Sequence, residues 1–180
     1  MKLILFVLSL CVLSCNNSET HTAKSAPTNA KVNTVMTSVN NYKLDVYDYN
    51  GLAPLINKKD DQVHVVNFWA TWCAPCVKEL PYFEVINTQY KNEGVEVLLV
   101  SLDFPKDYET KLKPFILKHN ITSKVVALDD TDQNRWITAI DQSWSGALPA
   151  TIIYKGDKRN FYEQSFTQKE LETELKQFLK

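Results

Sequence analysis

Cysteine is scarce in this 180-residue chain: Cys11, Cys15, Cys73 and Cys76 are all it has. With two of them in the first fifteen residues, they exclude a disulfide-stapled scaffold, which spreads several bridges over a small domain. Histidine is scarcer still, with His21, His64 and His119 scattered along the chain. A zinc site takes about four protein ligands, or three plus water, so no metal site and no cofactor is expected. Charge of one sign is also missing, because 20 basic residues face 21 acidic ones for a net charge of −1 and no long basic run occurs. That excludes nucleic acid as a partner, since a reader of its backbone needs a basic face. No internal repeat is visible, and no apolar run reaches the roughly 20 residues that span a membrane. What is there is a chain of 44% apolar and 11% aromatic residues, enough for the core of one packed domain.

The first residues are read as an export leader. Met1-Lys2 is a minimal positive start, Leu3 to Leu13 is apolar apart from Ser9, and polar Asn16-Asn17-Ser18 comes at once after it, so residues 1–14 are expected to be a signal peptide. Val12-Leu13-Ser14-Cys15 resembles a bacterial lipobox, which implies lipidation of Cys15 and a membrane-anchored lipoprotein outside the cytoplasm, on the periplasm side. The other reading is ordinary cleavage with Cys15 incidental. Cleavage before Cys15 discards Cys11, and lipid blocks the Cys15 thiol, so Cys73 and Cys76 can bond only to each other. From Asn16 to Ser38, 12 of 23 residues are Ser, Thr or Asn and none is aromatic. Residues 15–38 are therefore expected to be a lipidated cysteine and a flexible tether, reaching about 25 to 30 Å from the bilayer. The domain is placed at 39–180.

Within that domain, short β-branched runs alternate with longer amphipathic stretches, the pattern of an α/β sheet with helices on both faces. Strands are expected over 42–47, 63–70, 95–101, 124–128, 151–154 and 160–164. Helices are expected over 74–90, 106–118, 133–140 and 168–179, with Pro114 bending or shortening the second. Thr167 and Glu170 have the spacing of a capping box at the start of the last helix.

The chemistry concentrates where the strand from Val63 to Ala70 runs into Thr71-Trp72-Cys73-Ala74-Pro75-Cys76. Two cysteines three apart at a helix start lie on adjacent turns of one face, so they can pair reversibly with little backbone movement. Unpaired N–H groups and the helix dipole favour the Cys73 thiolate, which makes Cys73 the candidate nucleophile. Pro75 fits the opening turn, where its missing N–H costs nothing. Cys76, one turn further in, is the candidate resolving thiol. A bare CxxC also suits a metal site, so spacing alone leaves both chemistries open. Trp69 and Trp72 are expected to flank the dithiol, with Trp72 the better candidate for touching substrate, whereas Trp136, Trp144 and Tyr154 are assigned to the core or its margins. Asp129, Asp130 and Asp132 read as a charged loop before a helix rather than a cation site.

Trp72-Cys73-Ala74-Pro75-Cys76 after a strand, Pro81 beyond it, and Leu148-Pro149-Ala150-Thr151 ahead of a late strand resemble the thioredoxin superfamily. Asn67-Phe68-Trp69-Ala70-Thr71-Trp72-Cys73 and Glu79-Leu80-Pro81 are similar to its TlpA/ResA branch. The resemblance covers about Val39 to Lys180 and implies a thioredoxin fold: a central mixed β-sheet with helices on both faces and an extra strand and helix between Ser101 and Trp144. It implies that Pro149 is cis and packs against the dithiol while Leu148 offers backbone atoms to substrate, so Trp72, Pro75, Leu148 and Pro149 form the expected substrate-binding set. A trans proline opening an edge strand is the alternative. It also implies an acid–base or partner-selecting role for Glu79, which is otherwise a solvated helix glutamate. Thioredoxins carry a buried acid where this chain has Asn67, and Asn67 cannot act as a base. Pro81 is read as structural, removing one hydrogen bond inside the active-site helix.

The function so implied is a thiol-disulfide oxidoreductase acting on protein thiols and disulfides outside the cytoplasm, as a reductant fed by an upstream membrane electron donor. Cytochrome c maturation and oxidative-stress defence are the pathways suggested by resemblance. A thiol peroxidase and a non-catalytic copper chaperone are the competing functions on the same fold.

Overall fold

The computed structural model describes residues 42–179. The segments expected to be a signal peptide, a lipidated Cys15 and a tether lie outside the described residues. Among the described residues no helix is long and apolar enough to cross a membrane.

Six strands form one mixed sheet: β1 (Asp45–Tyr47), β2 (Val63–Trp69), β3 (Val95–Ser101), β4 (Lys124–Leu128), β5 (Ala150–Lys155) and β6 (Lys158–Tyr162). Their spatial order is β1-β4-β3-β2-β5-β6. The first four run parallel, β5 is antiparallel to β2, and β6 is antiparallel to β5. The helices are α1 (Tyr49–Leu52), α2 (Ala74–Gln89), α3 (Lys113–Lys118), α4 (Gln133–Ile140) and α5 (Gln168–Leu175). Every residue of β2 is buried, as a central strand requires when helices cover both faces. On one face Val65, Trp69 and Leu99 pack with Leu80 and Phe83 of α2, Ile116 of α3 and Leu171 of α5. On the other, Val66, Phe68 and Ile152 pack with Leu52 of α1 and Trp136 and Ile140 of α4. The expected α/β architecture is borne out, and β4 and α4 supply the extra strand and helix between Ser101 and Trp144.

The differences are local. The stretch 106–118 is not one helix: a 3-10 turn at Pro105–Asp107 and a π turn at Tyr108–Leu112 precede α3, whose first turn holds Pro114. Pro114 has no N–H, so a regular α-helical ladder cannot run through it, and the wider turn absorbs the break. β6 begins and ends two residues earlier than expected, because Gly156, at φ 57°, opens a turn immediately after β5. β1 is confined to three residues, α5 stops at Leu175, and the short α1, capped by the Asp48 side chain on Gly51 N–H at 2.8 Å, is an addition. The α5 capping box forms between Thr167 and Glu170.

Candidate active site

β2 delivers the chain to the cysteines. Its last residue, Trp69, accepts Leu102 N–H at 2.8 Å, and Ala70 accepts Cys73 N–H at 3.1 Å, which folds Thr71 and Trp72 into a short loop over the carboxyl ends of β2 and β3. Buried Asp103, just past β3, ties down that loop: its carboxylate accepts Thr71 N–H at 3.0 Å, the Thr71 hydroxyl at 2.5 Å and the Ser101 hydroxyl at 2.9 Å. Cys73 is the N-cap of α2, and its Sγ accepts Cys76 N–H at 3.3 Å.

Cys73 and Cys76 are joined in a disulfide with Cα atoms 5.3 Å apart. Cys76 is fully enclosed while Cys73 retains a small accessible surface, so an incoming group meets Cys73 first. Pro75 lies in the opening turn and is exposed. The Leu148–Pro149 bond is cis, the isomer that the resemblance implies, and the antiparallel pairing of Ala150 with Phe68 brings β5 in beside the end of β2. Two hydrogen bonds hold the loop ahead of Leu148: Trp144 Nε1–H donates to Ala147 carbonyl at 2.9 Å, and the Glu163 carboxylate accepts Ala147 N–H at 2.9 Å. Trp72, Cys73, Pro75 and Leu148 all line one cleft of about 920 Å³.

Glu79 lies one turn past Cys76 in α2 and is buried, not on a solvated helix face. It is 1% exposed, its Oε2 accepts Phe166 N–H at 2.7 Å, and its Oε1 accepts the Asn67 amide at 3.1 Å. No cation faces it among the described residues. Burial disfavours the charged form, and although the two hydrogen bonds oppose this, its pKa is pushed up to about 7. Asn67 also donates to Thr151 Oγ1 at 3.1 Å, so the residue that replaces an acid here orients one. Trp69 packs in the same buried cluster as Cys73 and Cys76. It is wholly buried, with its ring 5.5 Å from Phe115, and only Trp72 remains outside. Trp136, Trp144 and Tyr154 are core residues. Asp132 caps α4, and Asp130 binds Arg135 and the Tyr49 N–H.

An N-terminal cysteine with a buried partner and a carboxyl titrating near neutrality is equipped for reversible disulfide exchange. The AhpC/TSA family matches residues 36–159. The chain belongs to that family. Among its AhpC/TSA relatives is the thiol-disulfide oxidoreductase ResA of Geobacillus kaustophilus, 27% identical over 143 residues that cover 78% of this chain and 71% of the relative. The fold is shared with a thioredoxin-related protein from Neisseria meningitidis serogroup B at TM-score 0.57 and 22% identity, covering 67% of this chain and 87% of that one. A thiol:disulfide interchange protein from Chlorobium tepidum gives TM-score 0.56 at 18% identity, with coverage of 67% and 81%.

Sequence reasoning missed Asp103 and Phe104. The one available signal was their place just after a parallel strand, since ligands gather at the carboxyl ends of such strands. Nothing in the sequence links Asp103 to Thr71.

Proposed function

We infer that this chain is a thiol-disulfide oxidoreductase acting on protein substrates through Cys73 and Cys76. The observation that carries the reading is the closed Cys73–Cys76 pair at the start of α2, with one sulfur reachable and the other enclosed. In the reductive direction the Cys73 thiolate attacks one sulfur of a substrate disulfide. That S–S bond breaks, and the departing substrate sulfur takes the electron pair and a proton. Cys76 then loses its proton and attacks Cys73 Sγ, the second substrate thiol leaves protonated, and the dithiol ends as a disulfide, oxidised by two electrons. Glu79, three residues past Cys76, serves as the acid–base group that takes and returns the Cys76 proton. Trp72, Pro75 and Leu148 hold the substrate segment across the cleft, and Pro149, buried and outside the lining, supports Leu148 beside it.

The leader and Cys15 support a site of action outside the cytoplasm, with the domain held to a membrane by lipid and re-reduced by a membrane electron donor. Cytochrome c maturation is the pathway to examine first. Equilibrating the chain in glutathione or dithiothreitol buffers tests direction: a potential near about −270 mV supports the reductant, and one near about −120 mV makes it an oxidant. A Cys76→Ser variant accumulates mixed disulfides through Cys73, recoverable with their partners by mass spectrometry. Failure to capture any cysteine-linked protein, together with rapid peroxide turnover, points to the peroxidase instead.

A further inference from the structure

Only two large aromatic side chains among the described residues are exposed: Trp72 at 57% and Phe104 at 56%. They come from separate loops, yet their rings lie 6.5 Å apart and 22° from parallel at the mouth of the cleft that holds Cys73. Two neighbours hold Phe104 in place. Pro105 fixes an extended backbone at Phe104 (φ −70°, ψ 146°), and Asp107 N–H donates to the Phe104 carbonyl at 2.8 Å. Exposed apolar area beside a reacting sulfur, on a backbone held by its own neighbours, is the build of a binding anchor rather than of a core.

The charge of the cleft is equally one-sided. Asp103, Asp129 and Asp130 line it and no lysine, arginine or histidine does. Asp103 is committed to Thr71 and Ser101, and Asp130 to Arg135, Tyr49 and Asp132. Asp129 is exposed, and among the described residues its carboxylate has no hydrogen-bond or ion-pair partner, while its backbone is pinned by an N–H donated to Tyr47 carbonyl at 2.8 Å. Lys106, not itself in the lining, sits 5.6 Å above the Phe104 ring, within cation–π range.

Resting on the oxidoreductase reading, we propose that the cleft selects the peptide around the substrate cysteine by two contacts. An apolar or aromatic side chain enters beside Trp72 and Phe104, and a lysine or arginine next to it meets Asp129. The partner is therefore an extended, cationic, apolar segment of a protein disulfide, presented to Cys73 along the cleft.

The test uses the full, reduced chain and short synthetic peptides, each carrying one cysteine as a mixed disulfide with glutathione and differing only in the neighbouring residues. Peptides with Phe and Lys beside the cysteine are reduced with a kcat/KM about threefold to fivefold above the Phe and Glu versions, the range of one partly exposed charge pair, and added salt narrows the gap. Asp129→Asn levels the two and Asp129→Lys reverses them. Phe104→Ala lowers the preference for Phe over Ser about fivefold. Exchange at equal rates with cationic and acidic peptides, or an unchanged ratio in Asp129→Lys, overturns the proposal while leaving the oxidoreductase standing. Inability to reduce even glutathione disulfide overturns the oxidoreductase reading and the cleft proposal with it.

Discussion

His64 and Glu79 are both buried ionisable side chains, at 3% and 1% exposure, and the molecule treats them in opposite ways. His64, near the start of β2, meets Asp60 through Nε2 at 2.7 Å and Glu96 through Nδ1 at 3.4 Å, with its ring stacked 4.8 Å from Tyr154. Lys58 reaches the same Glu96. Hydrogen bonding to His64 holds the Asp60 carboxyl below its ordinary value. Glu79, on α2 and bonded to Asn67 further along β2, is given two N–H donors and no cation, and its pKa rises to about 7. A buried polar or ionisable group is costly unless it has partners. Where charged partners are supplied, the side chain fastens the 58–62 loop to the sheet. Where they are withheld, beside the sulfurs, the side chain can gain or lose a proton at neutral pH, as acid–base work requires.

The largest break of this comparison comes at the sulfurs next to Glu79: Cys73→Ser abolishes exchange in an insulin or glutathione-disulfide assay, and residual turnover would move the chemistry elsewhere. Next is Glu79 itself. A carboxyl whose folded pKa lies above its unfolded value stabilises the fold fully at low pH, and that contribution is lost as pH rises through the folded value. Between pH 4.5 and 7 this group costs about 3 kcal/mol of stability. Urea unfolding of Glu79→Gln across that window loses the slope, and its exchange rate loses the inflection near neutrality. His64→Leu costs about 1 to 2 kcal/mol, because the hydrogen bonds go but Asp60 and Glu96 remain reachable by water. It leaves exchange intact, and a fall in exchange would erase the distinction drawn between the two groups. The smallest effect is Thr167→Ala, which removes the α5 cap at about 1 kcal/mol, seen as a lower Tm without any change in the pH slope.

Much of the fold was legible because its punctuation is local. β3 and β4 lie where the β-branched runs put them, Gly94 at φ 77° ends the turn before β3, and α5 starts at the capping box that Thr167 and Glu170 spell out. The dithiol was legible for the same reason, since strand, CxxC and helix start are contiguous. The illegible parts depend on distant neighbours. Whether Glu79 faces solvent is decided by Phe166, whose N–H binds it from the start of the last helix region. Trp69 and Trp72 look alike in sequence, yet one ends a central strand and the other lies in the loop after it. Asp103 matters only because β2 and β3 end side by side.

β1 pairs with β4 and with no other strand, Asp45 opposite Val126. The polypeptide is made from its amino end, so β1 emerges early but waits for its partner until most of the domain has been delivered. Closing so long a loop is slow, and β2, whose parallel partner β3 comes soon after α2, is ready well before then. β5, which follows Leu148 and Pro149 and frames the cysteines from the other side of β2, comes later in the chain than β4, so the β1 edge has its partner before the cleft beside Cys73 can be complete.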